Sequence, residues 1–132
     1  TLDFADGSGA SQANKVFADT RTLAASAAED LDLAGSLLDG LGNAVVFTKV
    51  KAILIVADPA NVNNLQVGGD ANSIPLFGAA ADFIVVRPGG FFAWADPSAA
   101  GIAVGAGATD ILQVANGGAG TSVTYSIVVI GA

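Results

Sequence analysis

The side chains in this sequence that could do chemistry are mostly aspartates, because histidine and cysteine are both absent. Their absence excludes Ser-His-Asp and Cys-His catalysis, thiolate zinc sites and disulfide frameworks. Paired carboxylates or a Ser-Lys arrangement would be the remaining routes to catalysis. No pair of acids is distinguished by its context, so we expect that the protein is not an enzyme and uses no metal or other cofactor.

Two acidic segments come closest to the pattern of a site. Asp30 and Asp32 lie two residues apart on one face of a predicted strand, where an exposed alternating face explains them without a function. Residues 58–64, beginning Asp-Pro and rich in Asn, offer oxygen ligands of the kind calcium takes, but Asp and Asn also start turns. Lys49 and Lys51 share a strand face and could hold an anion, although cross-strand pairing with acids is their more ordinary role.

Aromatic and large apolar residues at unusual places are the candidate contacts with other molecules. Phe92 and Trp94 point to the same side of one predicted strand, which is either the core side or a surface platform. A surface Trp is a frequent anchor in protein interfaces and in sugar-binding sites. Leu2 and Phe4 are the only large apolar residues before Val16. The candidate protein-contact residues are therefore Leu2, Phe4, Phe92 and Trp94.

Composition and charge restrict the possible partners. Hydrophobic residues make up 52% of the 132 residues and charged residues only 13%, which excludes intrinsic disorder. The net charge of −7, without clustered Lys or Arg, argues against binding nucleic acid or an anionic membrane surface. The longest apolar run, residues 52–57, is too short to cross a bilayer. A surface rich in Ala and Gly weakly favours packing against other proteins, since such residues lose little side-chain entropy when covered, although a biased genome composition explains it equally well.

The elements that would carry these residues are short β-strands separated by turn signals. We predict an all-β, jelly-roll-like β-sandwich of about eight strands, occupying residues 15–132 as a single domain. Residues 1–14 show no period of 2 or 3.6 and predict an N-terminal arm. We expect this arm to be disordered unless a neighbouring chain holds Leu2 and Phe4. Its deletion would then leave the thermal midpoint of the domain nearly unchanged.

Three segments carry finer predictions. Residues 45–57 form the strongest strand, which we expect to be covered on both faces towards its end, as in a central strand. Residues 35–42 predict a single helical turn with Ser36 as its N-cap. Residues 110–115 and 121–130, two β runs across a short Gly-rich loop, predict a hairpin.

The order of these segments resembles a known family. The similarity lies in residues 21–23, 30–37, 47–52, 63–69, 86–90, 110–116 and 123–131, from Arg-Thr-Leu to the closing Val-Thr-Tyr-Ser-Ile-Val-Val-Ile-Gly. On this pattern the chain resembles the capsid cementing (decoration) proteins of tailed bacteriophages, such as Bordetella phage. The resemblance implies a jelly roll on the outer surface of the virion that bridges neighbouring major capsid proteins. It also implies pairing with a second copy, and it supplies no catalytic residues.

Two functions therefore remain in view. The first is a structural virion protein that cements the capsid, with the major capsid protein as partner and with homodimers formed through bare strand edges. The alternative is a jelly-roll carbohydrate-binding or tail-associated adhesion module, suggested by Trp94 and by the oxygen-rich turn at residues 58–64. That alternative requires an exposed indole with a groove around it.

Overall fold

Thirteen β-strands and no helix make up the chain in a computed structural model that describes residues 1–132. The strands are β1 (Ala5–Asp6), β2 (Gln12–Ala13), β3 (Lys15–Leu23), β4 (Ala28–Asp32), β5 (Leu37–Leu38), β6 (Ala44–Val45), β7 (Lys49–Ala57), β8 (Leu65–Gly68), β9 (Phe83–Val86), β10 (Phe91–Ala95), β11 (Ile102–Ala103), β12 (Ile111–Asn116) and β13 (Val123–Gly131). The chain therefore contains no candidate membrane-spanning helix.

Eight of these strands form the two four-stranded layers of the main sheets, and a ninth, β11, joins one of them at its edge. One sheet has the order β10-β7-β13-β3, with β11 also pairing with β7, and we call it sheet 1. The other, sheet 2, has the order β4-β12-β8-β9. Counted one to eight along the chain, the eight strands follow the orders 6-3-8-1 and 2-7-4-5, which is the strand order of a jelly roll. The prediction of an all-β sandwich of about eight strands is confirmed.

The core lies between the inward faces of the two sheets and contains 22 buried hydrophobic residues. Strand β13 shows how the sequence selects this face. Its alternate residues Val123, Tyr125, Ile127 and Val129 are buried at 0–1% exposure. Because successive side chains of a strand point to opposite faces, this alternation places the same strand's other residues on the outside of the sandwich.

A β-bulge interrupts the pairing of the two central strands of sheet 1. Ile130 lies opposite Ala52 but Gly131 lies opposite Val50, so Lys51 is the extra residue. Both Val50 and Lys51 are fully buried as a result. Position 131 must be a glycine for this arrangement, since a Cβ there would collide with the carbonyl oxygen of Lys49.

Two local predictions are wrong. Residues 110–115 and 121–130 do not form a hairpin, because β12 pairs with β4 and β8 while β13 pairs with β3 and β7 in the other sheet. The Gly-rich loop between them crosses from one sheet to the other. Residues 35–42 form no helical turn. Strands β5 and β6 pair there across a turn in which the Asp39 carboxylate accepts the amide N–H groups of Leu41 and Asn43.

The segment 1–14 also differs from its prediction, because it folds onto its own domain. Strands β1 and β2 pair in parallel, and the Ser11 amide donates to the Pro97 carbonyl at 2.7 Å. Hydrogen bonds of the segment thus lie within the same chain, and a neighbouring chain is not needed to order it.

Two lysines of β7 hold this segment in place. The Lys49 ammonium donates to the carbonyls of Ser8 and Ala99 at 2.8 and 2.9 Å. The fully buried Lys51 donates to the carbonyls of Gly9, at 3.3 Å, and Ser98. The two lysines therefore neither pair with acids across the sheet nor hold a free anion. They join the N-terminal segment to the loop after β10, and we call these four contacts the lysine clamp.

A polar bridge spans the two sheets on the side of β3 and β4. The buried Tyr125 hydroxyl donates to the Glu29 carboxylate, whose other oxygen accepts from Arg21 Nη1 at 2.9 Å. Arg21 Nε in turn lies 3.1 Å from Asp19, and the guanidinium sits over the Phe17 ring. Burial, followed by the hydrogen bond to Glu29, raises the pKa of Tyr125 well above its ordinary value of 10.0.

Tyr125 is the only tyrosine, so its ionisation can be followed directly. We expect no tyrosinate absorbance in the folded protein at pH 10–11. The unfolded chain ionises near pH 10, so the contribution of the neutral phenol to stability is complete below that pH and declines above it. Tyrosinate should therefore appear together with alkaline unfolding, measured by ultraviolet absorbance and circular dichroism on the same sample. Reversible ionisation near pH 10 with native circular dichroism would contradict the buried bridge.

Deleting residues 1–14 should lower stability, because Lys51 would lose the Gly9 carbonyl and the segment that helps cover it. We expect a loss of about 2–3 kcal/mol in the free energy of unfolding, measured by urea denaturation. Deleting only residues 1–4 is the matched control. It leaves β1, Ser8 and Gly9 in place and should cost much less. Equal stability of the full chain and the longer deletion would show that the lysine clamp is not important for stability.

Candidate protein-contact surface

The outward face of sheet 1 is set by the register of its four main strands. The row Ala95–Ala52–Ile130–Val16 runs across β10, β7, β13 and β3, and the next row is Ala93–Leu54–Val128–Ala18. A third row, Phe91–Val56–Ser126–Thr20, is apolar in its first half. We call these three rows the outer face. It contains no charged residue, although the chain carries a net charge of −7.

Large side chains of the outer face are open to solvent. Phe91 is 69% exposed and Val16 55%, while Leu54 and Val56 are 39% and 38% exposed. Single exposed apolar residues are ordinary on protein surfaces, but contiguous apolar patches mark contact sites. Here two complete rows of four residues are apolar, and the polar residues begin only at Ser126 and Thr20.

The expectation that β7 is covered on both faces at its end is wrong for the isolated chain. Its residues Ile53, Ile55 and Ala57 are buried in the core, whereas Leu54 and Val56 alternate with them on the uncovered side. The sequence of β7 is that of a strand buried on both faces, yet no segment of this chain covers its outer side. The chain thus presents to solvent a sheet face with the composition of an interior.

A shallow groove of about 390 Å³ lies at one side of the outer face. All of its lining residues are hydrophobic: Leu2, Ala52, Ile53, Leu54, Ala93, Trp94, Ala95, Val128 and Ile130. The N-terminal residues thus border the same surface as β7, β10 and β13. The groove offers contact area to an apolar side chain, and none of its lining residues other than Trp94 has a polar side-chain atom.

The structure brings together two of the four candidate contact residues. Leu2 and Trp94 both line the groove, and Leu2 is 47% exposed. Trp94 and Phe92 are half-buried and pack against the core, with the Phe92 ring centroid 5.8 Å from that of Phe77. Phe4 is half-buried and does not line the groove.

Sequence reasoning missed the residues that dominate the outer face: Leu54, Phe91, Val128 and Ile130. A signal for them was present. In β13 the outward residues change from Thr124 and Ser126 to Val128 and Ile130. The strand is therefore apolar on both faces near its C-terminal end. That change marks the boundary between the polar and the apolar part of the outer face.

The polar side chains of the two acidic segments form hydrogen bonds within their own chain. The Asp58 carboxylate accepts from the Ala60 amide, while the Asn61 side chain forms two hydrogen bonds with the backbone of Thr124 at 2.8 Å. The Asp30 carboxylate accepts from Gln113 across the sheet, which agrees with its structural interpretation. No group of three or more acidic side chains lies close enough to hold a metal ion.

Comparison with known proteins gives no family. No family model matches the chain, and no curated protein matches it. Among solved structures, a similar chain comes from the disulfide-linked pili that form Bacillus endospore appendages. It is 13% identical, the alignment covers 99% of this chain and 97% of that chain, and the TM-score is 0.42. A likeness at this level supports no conclusion about function.

Proposed function

We propose that this chain is a structural virion protein that binds the outside of a phage capsid and cements neighbouring major capsid subunits through its outer face. The single observation that carries the proposal is the uncharged outer face, eight of whose residues form two uninterrupted apolar rows. The resemblance in strand order to capsid cementing proteins supplies the class of partner. An apolar sheet face fits a protein surface, since it offers area and shape but no hydrogen-bonding pattern.

Burial of the outer face would give a useful but modest binding energy. Fully burying a Val, Leu, Ile or Phe side chain contributes about 1.5–3 kcal/mol. Four large side chains of the outer face are 38–69% exposed in the free chain, so covering each of them would contribute part of that value. Association costs roughly 4–15 kcal/mol in lost translational and rotational freedom. One copy would therefore bind with moderate affinity, and a cementing effect would come from many copies that each bridge two subunits.

Rigidity and charge also support this proposal. The outer face is built on paired strands, so its side chains are positioned before binding and little backbone ordering is required. The net charge of −7 is carried elsewhere on the chain, because the outer face has none. An acidic protein suits the outer surface of a shell better than its DNA-filled interior, where phosphates would repel it.

The carbohydrate-binding alternative receives less support. Sugar recognition needs polar groups placed to bond hydroxyls, beside an aromatic platform. The groove beside Trp94 is lined only by hydrophobic residues, and this indole packs partly against the core. The polar side chains of Asp58, Asn61 and Asn63 already bond backbone or side-chain groups of their own chain.

The test is binding to heads assembled from the major capsid protein of the phage that carries this gene. Leu54→Lys places a charge in the middle of the outer face, and we expect at least about tenfold weaker binding in a co-sedimentation assay. Val62→Lys is the matched control, since Val62 is 75% exposed and lies in the loop after β7, outside the outer face. Both variants should melt close to the wild type.

The proposal requires saturable binding of the wild type and of the control variant to heads. Wild-type protein must saturate the heads in a fixed ratio to the major capsid protein, and the Val62→Lys variant must do the same. Leu54→Lys binding as tightly as Val62→Lys would show that the outer face is not the contact surface. Failure of the wild type to bind heads at all would refute the cementing function itself.

A further inference from the structure

The outward side of sheet 2 carries polar side chains, whereas the outer face of sheet 1 is largely apolar. One row across β4, β12, β8 and β9 consists of Ala28, Ala115, Gln66 and Val85. On the same side, Asp30 lies opposite Gln113. Phe83 precedes Val85 by two residues on β9, so its side chain points the same way. We call four of these residues the amide patch: Asp30, Gln66, Gln113 and Phe83.

The two amide groups of this patch are available to a ligand. Gln113 Nε2 donates to Asp30 Oδ1 at 2.8 Å, which holds the Gln113 side chain in place, while its Oε1 accepts no hydrogen bond. The Gln66 side chain forms no hydrogen bond with the rest of the chain. An amide can both donate and accept, as a sugar hydroxyl can. The patch therefore offers unpaired donors and acceptors on paired strands.

The Phe83 ring lies beside these groups and is 51% exposed. The Gln113 Oε1 and the Phe83 side chain lie 3.7 and 3.8 Å from the point that a Cβ of residue 69 would occupy. Because residue 69 is a glycine, no side chain fills the space between the amide and the ring. This combination suits a sugar, whose C–H face packs on an aromatic ring while its hydroxyls bond nearby polar groups. The groove beside Trp94 lacks such polar groups.

Charge restricts the class of sugar that the patch can take. The four strands of sheet 2 contain no lysine or arginine, whereas β4 alone carries three acids, Glu29, Asp30 and Asp32. A sugar with a carboxylate or a phosphate would be repelled by these acids and by the net charge of −7. A neutral sugar meets no such repulsion, and its hydroxyls can donate to the Asp30 carboxylate.

We propose that the amide patch binds neutral glycans, with Gln66 and Gln113 bonding sugar hydroxyls and the Phe83 ring packing against the sugar ring. A site of this size should bind one sugar with a dissociation constant on the order of millimolar.

The position of the patch gives this binding a use on a particle. Sheets 1 and 2 form opposite sides of the sandwich, so a copy attached to a head through the outer face would hold the amide patch away from the shell. Many copies on one particle would then bind a polysaccharide much more tightly than a single copy does. This placement rests on the proposed function, whereas glycan binding by the isolated chain does not.

Electrophoresis of the purified chain through native gels that contain a polysaccharide measures the binding directly. The neutral probes are dextran, mannan, galactan and starch, and alginate is the anionic comparison. Because its pI is about 4.1, the chain migrates as an anion at neutral pH, and binding appears as retardation. We expect at least one neutral polysaccharide to retard the wild type, and alginate to leave its mobility unchanged.

Substitutions within the patch assign the binding to its side chains. Gln66→Ala and Gln113→Ala each remove one amide and should weaken the affinity about fivefold, with a thermal midpoint close to that of the wild type. Phe83→Ala removes the ring and should abolish retardation. Asn14→Ala is the matched control, because Asn14 is an exposed amide residue just before β3, outside the patch. It should be retarded like the wild type.

Three results would overturn the proposal. The first is a wild type whose mobility is unchanged in every neutral gel, and the second is retardation in alginate alone. The third is a set of folded Gln66→Ala, Gln113→Ala and Phe83→Ala variants that are retarded as strongly as Asn14→Ala.

Failure of the glycan site can be told apart from failure of the capsid contact. Leu54→Lys, on the outer face of sheet 1, should lose binding to heads and keep its retardation by the polysaccharide. Gln113→Ala should bind heads like the wild type and lose affinity for the polysaccharide. Retardation that Leu54→Lys abolishes and Gln113→Ala leaves unchanged would assign sugar binding to the outer face and refute the amide patch.

Discussion

The registered pairing of β7 with β13 is the constraint on which the rest of this structure depends. Both strands have nine residues, and each is apolar on both faces towards its end, β7 from Ala52 to Ala57 and β13 from Ile127 to Ile130. Their pairing places Ile53, Ile55, Ile127 and Val129 in the core, and by the same geometry it places Leu54 and Val128 side by side on the outside. A shift of one residue in either strand would exchange the two sets. The core and the outer face are thus two consequences of one register.

Polar contacts fix the positions of segments whose place in the sandwich the pattern of apolar residues does not determine. The lysine clamp uses a buried charge to bind main-chain carbonyls of the segment 1–14 and of the loop after β10. The bridge from Tyr125 through Glu29 to Arg21 joins sheet 1 to sheet 2. Because a buried charge or phenol without its partner would be costly, these contacts select one arrangement of the chain ends and of the two sheets.

The strands could be predicted from the sequence because alternation and turn residues are local signals. The positions of the eight main strands along the chain and the all-β class follow from those local signals. The pairing of strands is not local, which is why residues 110–115 and 121–130 suggested a hairpin although their loop crosses between sheets. The segment 1–14 was interpreted as a free arm because nothing in its own sequence reveals Lys49 and Lys51, which come some forty residues later.

The contact surface was harder to foresee than the fold. Phe92 and Trp94 attracted attention by residue type, but the pleat turns them towards the core and leaves Phe91 outside. Leu54 and Val56 were interpreted as buried because a strand with two apolar faces is normally a covered one. The residue types are indeed those of a strand covered on both faces. No segment of this chain, however, covers the outward side of β7.

The central claim is that another protein covers the outer face of sheet 1. A cryo-electron microscopy map of native particles tests it most directly, since it shows which surface of each jelly roll meets the shell. Our account predicts density for this chain on the outside of the head, with Leu54, Val128 and Ile130 against the major capsid protein of adjoining subunits. A map in which the chain is attached through another surface, with the outer face of sheet 1 open to solvent, would contradict it.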